Sequence, residues 1–151
     1  MKKIISICLL ALVSSIALAD GNMLPLKIPE KVKSECASCH MLYAPAFLPK
    51  ESWGRMMGTL DKHYGTDASL DPQSVKEVSQ WLFQYAGTYK RVNGAPPNDR
   101  MTESDWFIRK HKKVSNETWK NPKVKSKSNC MACHTTADKG QYDDDYVRVP
   151  K

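Results

Sequence analysis

Two pentapeptides carry the chemistry of this chain: Cys36-Ala37-Ser38-Cys39-His40 and Cys130-Met131-Ala132-Cys133-His134. In each, two thiols stand three residues apart, so one helical turn brings both to the same edge of a flat group, and the next residue offers an imidazole. That arrangement suits covalent haem, the thiols forming thioethers with the two vinyl groups and the imidazole binding the iron. Cys36, Cys39, Cys130 and Cys133 are read as attachment points and His40 and His134 as proximal ligands, for two covalently bound haem c groups. A lone Cys-x-x-Cys would leave open a redox disulfide or half of a four-cysteine zinc site. Two complete motifs argue against both, and zinc would leave the two motif histidines without a task.

Two irons need two more ligands, and the chain has two more histidines, His63 and His111. Taken singly, either would be read as a hydrogen-bonded histidine on a partly buried helix face. Here each half of the chain holds one motif histidine and one spare, so bis-histidine iron is expected. Methionine is the competitor: Met56 and Met57 share a helical face with His63, although adaptable core filling is the commoner use of the residue. Met41 adjoins His40 and Met131 lies inside the second cysteine loop, so both are poorly placed. The simplest pairing joins His40 to His63 and His134 to His111, with crossed ligation as the alternative. Two imidazoles give a lower potential than imidazole with thioether.

The elements that position these groups read as helices, because no run alternates with period two for long enough to make a sheet. The fold expected is mainly α, with two small haem-binding lobes, the N-terminal one cytochrome c-like. Trp53, Met56, Met57, Leu60, His63 and Tyr64 fall on one stripe, which predicts a helix from Pro49 to Tyr64 ended by Gly65. A second helix opens with Asp71 as N-cap and Pro72 in the first turn and ends near Gly87. A third is capped by Thr102, with Phe107, His111 and Val114 on one face. Between the second and third, Lys90 to Asn98 contains consecutive prolines and marks the boundary between a lobe at 20–92 and another at 93–151. The lysine-rich approach to the second motif and the C-terminal Asp143-Asp144-Asp145 run are expected to be irregular.

Residues 1–19 read as a cleaved signal peptide: Lys2 and Lys3, an apolar run from Ile4 to Leu18, and the small-residue site Ala17-Leu18-Ala19. The run is shorter than the roughly 20 residues a bilayer requires, and no later segment is apolar enough to span one. Export to the periplasm, with no transmembrane segment in the mature chain, follows as the expectation. Cys8 leaves with the leader, so every remaining cysteine sits in a haem motif. A lobe this small buries too little surface to be comfortable alone, and a covalent haem can serve as its staple.

The net charge is +7. Residues 20–92 hold nine basic and eight acidic side chains and residues 93–151 hold twelve and eight, so the excess surrounds the second haem motif. The lysines between Lys110 and Lys127 form either a rim that steers an acidic redox partner or a solvated face balancing haem propionates. Nucleic acid is set aside, since no recognition motif accompanies the charge. Trp53, Trp81, Trp106 and Trp119 read as core or haem-packing residues. The aspartate run lacks the spacing of a calcium loop, and no metal beyond iron is predicted.

The ordered set Cys36-Ala37-Ser38-Cys39-His40, Leu48-Pro49, Ser52-Trp53, Leu60 to Gly65, Ala68-Ser69-Leu70, Trp106-Phe107 with His111, and Asn129-Cys130-x-Ala132-Cys133-His134 resembles a family of bacterial periplasmic dihaem cytochromes c. The resemblance implies a soluble electron carrier with bis-histidine irons and ligands at His40, His63, His111 and His134. It also implies redox partners, a monohaem cytochrome c as acceptor and a membrane b-type cytochrome as donor. The main reading is thus an electron-transfer protein, expected to be a monomer, with no catalytic residues. The alternatives are a redox subunit of a larger periplasmic reductase and a small haem enzyme, a peroxidase or nitrogen-oxide reductase, with one open iron.

Overall fold

The computed structural model describes residues 22–88 and 92–151. The expected leader at 1–19, and Lys90 and Arg91 at the expected lobe boundary, lie outside the described residues. Among the described residues five helices run in order: α1 (Glu30–Cys36), α2 (Lys50–Met57), α3 (Pro72–Tyr85), α4 (Asp105–Lys110) and α5 (Asn116–Lys120), joined by short 3-10 turns. Among the described residues the only β pairings are isolated bridges, Pro49 with Gly87, His63 with Thr66 and His134 with Val147. The mainly α expectation holds. No helix among the described residues is long and apolar enough to cross a membrane.

Helix α3 forms where its cap and periodicity agree. The Asp71 carboxylate accepts the backbone N–H groups of Gln73 and Ser74 at 3.0 Å each, and Pro72 needs no donor in the first turn. Hydrogen bonds from Ser74 hold this carboxyl below the usual carboxylate range. Val78, Trp81 and Leu82 then fall on one buried stripe. They meet Trp53 and Met57 of α2, Val32 of α1 and Leu48 in the main apolar cluster.

The helix expected from Pro49 to Tyr64 is corrected: α2 stops at Met57. Gly58 follows, where a helix interior would cost about 1 kcal/mol relative to alanine. The Thr59 hydroxyl bonds back to the Arg55 carbonyl at 2.9 Å, competing with the helical ladder. A 3-10 turn, Leu60–Lys62, comes next, and His63 stands beyond it in a loop. The third helix is corrected as well. Thr102 lies inside a 3-10 turn, and the cap of α4 is Ser104, whose hydroxyl accepts the Phe107 N–H at 3.4 Å. His111 becomes the C-terminal cap of α4, and Val114 sits in the turn after it. Helix α1 escaped the periodicity reading because Val32 is its one buried apolar residue. Helix α5 escaped it because it buries none.

A second apolar cluster, Leu24, Ala44 and Phe47, is covered by Met101, Trp106 and Tyr142, so residues from both sides of position 92 share it. Each indole in or beside these clusters satisfies its N–H on a carbonyl: Trp53 on Pro45 at 2.8 Å, Trp81 on Lys27 at 3.3 Å, Trp106 on Phe47 at 3.2 Å. Polar ties cross the same division. The Tyr43 hydroxyl donates to the Ser128 carbonyl at 2.8 Å, and the Met23 N–H donates to the Gly140 carbonyl at 2.8 Å. Gly87 closes the chain onto the 45–49 segment, its N–H on the Leu48 carbonyl at 2.8 Å. A Cβ there would lie 2.7 Å from the Ala46 carbonyl oxygen and 2.6 Å from a Val92 methyl, so only glycine permits the approach.

Candidate haem sites

Cys36 is the last residue of α1, and the turn that follows brings Cys39 and His40 round beside it. The His40 Nδ1 lies 2.7 Å from the Met41 carbonyl. A carbonyl only accepts, so the proton belongs on Nδ1 and the lone pair on Nε2, the tautomer a metal requires. A cavity of about 600 Å³ opens beside this motif, lined by Ile28, Ala37, Cys39, His40 and Leu42 among others. That is a volume typical of sites for molecules of cofactor size.

The second motif begins as a 3-10 turn, Cys130–Ala132, and the His134 N–H returns to the Cys130 carbonyl at 2.8 Å. The C-terminal segment braces it, the Arg148 N–H bonding the Cys133 carbonyl at 2.8 Å and the Thr135 N–H the Tyr146 carbonyl at 3.3 Å. The aspartate run is part of that brace. Asp143 caps a 3-10 turn, Asp144–Tyr146, and accepts the Asp145 N–H at 3.1 Å, where an irregular stretch was expected. On the other side, His111 stacks on Phe107 with ring centres 4.0 Å apart and its Nδ1 2.9 Å from the Phe107 carbonyl, again leaving Nε2 free.

The four histidines come together in two pairs. The ring centres of His40 and His63 are 6.3 Å apart with planes at 27°, and those of His111 and His134 are 6.1 Å apart with planes at 79°. An imidazole nitrogen binds a transition metal at about 2 Å and the ring centre lies about 1 Å further back, so two imidazoles on opposite faces of one iron place their centres about 6 Å apart. Both separations fit a haem iron between the rings.

The remaining electrostatics favour uncharged groups. Burial, then the neighbouring His40, lowers the pKa of His63; burial, then His111, lowers that of His134 against the opposing pull of Asp144. Burial, helped by Glu35, pushes the Cys36 thiol up to about 11, and burial likewise pushes Cys130 up to about 11. Such thiols are protonated, unlike the lowered thiolates of redox disulfides. Two buried polar atoms beside the second motif, His134 Nδ1 and the Tyr142 hydroxyl, have no protein partner. Burial raises the Tyr142 pKa as well.

The competing methionines are engaged elsewhere. Met57 is buried in the main cluster, Met56 packs against it, and the Met131 sulfur accepts the Asp138 N–H at 3.3 Å. Several neighbours of the histidines carried no sequence signal. Tyr43, in the non-helical stretch just after the first motif, lies 4.8 Å from His40, and Tyr142 lies 5.5 Å from His134, ring centre to ring centre. Phe107 and His111, at helical spacing, were the legible case.

No curated protein matches the chain. Among solved structures, the diheme cytochrome type c of Shewanella baltica OS155 is 37% identical with a TM-score of 0.70, covering 82% of this chain and 95% of its own. A diheme cytochrome c of Rhodobacter sphaeroides is also 37% identical, with a TM-score of 0.69 over 79% of this chain and 99% of its own. The family model for dihaem cytochrome c matches residues 32–142, a span that holds both motifs and all four histidines. On those grounds this chain belongs to the dihaem cytochrome c family, and its cofactors are two haem c groups.

Proposed function

We propose that this chain is an exported, periplasmic electron carrier in which each haem iron is held between two histidines, His40 with His63 and His111 with His134. The observation that carries the reading is the pair of ring separations, 6.3 and 6.1 Å. The haems supply a one-electron ferric–ferrous couple at the low-potential end expected of two imidazole ligands. The protein supplies orientation. The Met41 and Phe107 carbonyls accept Nδ1 protons and so hold two of the rings in the binding tautomer and strengthen them as donors. Two imidazoles on each iron would leave no position for a substrate, which favours electron transfer over catalysis. Tyr43 links the two sites: its ring packs on His40, and its hydroxyl shares the Ser128 carbonyl with the Cys130 N–H, at 2.8 and 3.0 Å.

Spectroscopy of the holoprotein tests this. Near-parallel imidazoles push on the same iron d orbital and split the d-orbital pair, whereas crossed imidazoles leave the pair nearly even. Oxidised protein is expected to give two low-spin ferric electron paramagnetic resonance signals, a rhombic one from the first haem and one with a single large g value from the second. Reduced protein is expected to bind carbon monoxide only slowly, as fast as an imidazole leaves the iron. High-spin iron, or rapid carbon monoxide binding at either haem, would sink the assignment.

Partners are proposed on charge and on the family resemblance: an acidic monohaem cytochrome c as acceptor and a membrane b-type cytochrome as donor. All seven lysines between Lys110 and Lys127 are exposed, and no aspartate or glutamate side chain pairs with any of them among the described residues. Long-range steering by such a surface is screened by salt. Electron transfer to an acidic cytochrome, followed by stopped flow, is expected to slow by about tenfold from low to physiological ionic strength. A rate indifferent to salt would remove the lysines from the docking surface.

A further inference from the structure

Of the two proposed ligands outside the haem motifs, His63 has less local support than His111. It stands in a loop rather than on a helix, and its ring makes no hydrogen bond among the described residues. The loop closes on itself through the Thr66 N–H on the His63 carbonyl at 3.1 Å, and beyond that it is held by the segment at 98–100. The next residue, Tyr64, has φ 51°, in the left-handed region. Its hydroxyl donates to the Asp99 carbonyl at 2.9 Å, and the Arg100 guanidinium lies 4.3 Å from its ring centre. Asn98 and Asp99 are also left-handed, with φ 52° and 53°. The Asp99 carboxylate in turn takes a two-pronged bond from Arg55 of α2, Nε at 2.9 Å and Nη2 at 2.6 Å.

Three side-chain-bearing residues in a disfavoured conformation, all on two segments that touch, persist only where surrounding contacts over-determine them. Here the contacts are the Arg55 fork, the Tyr64 hydroxyl and the Arg100 stack. They join α2, the His63 loop and the segment that follows the two consecutive prolines, and the strain lies next to a proposed iron ligand. Bidentate arginine–carboxylate geometry fixes orientation as well as distance.

We propose that Arg55, Tyr64 and Asp99 form a clamp of positioning residues that keeps His63 on the first iron, so that the segment at 98–100 sets how readily that iron loses its sixth ligand. The proposal rests on the bis-histidine reading. The second iron has no such dependence, because His111 is held by its own helix through Phe107.

The test uses the reduced holoprotein and its rate of carbon monoxide binding, which reports loss of a sixth ligand. Tyr64→Phe removes the hydroxyl bond and keeps the ring; Arg55→Gln removes the fork and leaves the loop sequence intact. Each is expected to speed binding at one haem by about fivefold to tenfold, the worth of one hydrogen bond. Tyr64→Phe is expected to add nothing in a His63→Ala background, where the ligand is already gone. Haem absorbance and circular dichroism show that each variant is folded. Variants that are folded yet as inert as the parent, or that loosen both haems alike, overturn the clamp while leaving the ligand reading standing. Rapid binding by the parent protein overturns the ligand reading, and the clamp with it.

Discussion

Replacing His111 with Ala is expected to convert one of the two haems from six-coordinate low spin to five-coordinate high spin while the other keeps its spectrum. About half of the low-spin signal disappears, and one carbon monoxide per protein binds after reduction. The reason is that no neighbour can substitute. The Met131 sulfur is occupied by the Asp138 N–H, and Phe107 and Trp119, the rings nearest His111, carry no ligand atom suited to iron. Losing an imidazole donor also raises the potential of that haem. His63→Ala is the matching experiment on the other iron. Met56 and Met57 are close in sequence, but Met57 is 9% exposed inside the main apolar cluster and would have to leave it to reach the metal. If neither substitution changes the spectrum, His63 and His111 are not ligands.

Gly140→Ala is expected to be the most damaging single methyl in the second half of the chain. Gly140 has φ +76°, a conformation an alanine enters at a cost of about 1–3 kcal/mol. The added Cβ would also strike the Asn22 side-chain oxygen and lie 2.8 Å from the Leu24 N and 3.0 Å from its Cβ. Those atoms belong to the segment that pairs Met23 with the Gly140 carbonyl and buries Leu24 under Tyr142, so strain there propagates into the shared cluster. Thermal unfolding of the holoprotein is expected to fall by roughly 5–15 °C. Gly94→Ala is the control: nothing lies within 4 Å of its Cβ, and φ is not positive. Equal melting of the two variants would mean that residues 22–24 do not pack against Gly140.

Legibility followed locality. Asp71, Pro72 and the Val78, Trp81, Leu82 stripe announced α3 because a cap and a helical period are both local properties. The extent of α2 was misread because an unbroken apolar stripe from Trp53 to Tyr64 outweighed Gly58, although the backbone entropy of glycine and the Thr59 back-bond end the helix there. The cap of α4 was misplaced by two residues because Thr102 and Ser104 are both capping types, and only the turn at Met101–Glu103 selects between them.

The sequence by itself determined the cofactors and their number and named the cysteines proposed to hold them, because two thiols and an imidazole at fixed spacing are a covalent demand that any fold must accommodate. Counting four histidines also named the candidate ligands. Tertiary structure decided how those histidines meet: His40 beside His63 at 27°, His111 beside His134 at 79°. Ring planes depend on what each imidazole packs against, and Phe107, Met41 and Tyr142 arrive from the helix below, the next peptide bond and the segment just after the second motif. The tie between Tyr64 and Asp99 lies further still from the motifs, since contacts across 35 residues leave no periodic trace. The two C-x-x-C-H motifs specify chemically alike haems, and the packing around them makes the two sites different.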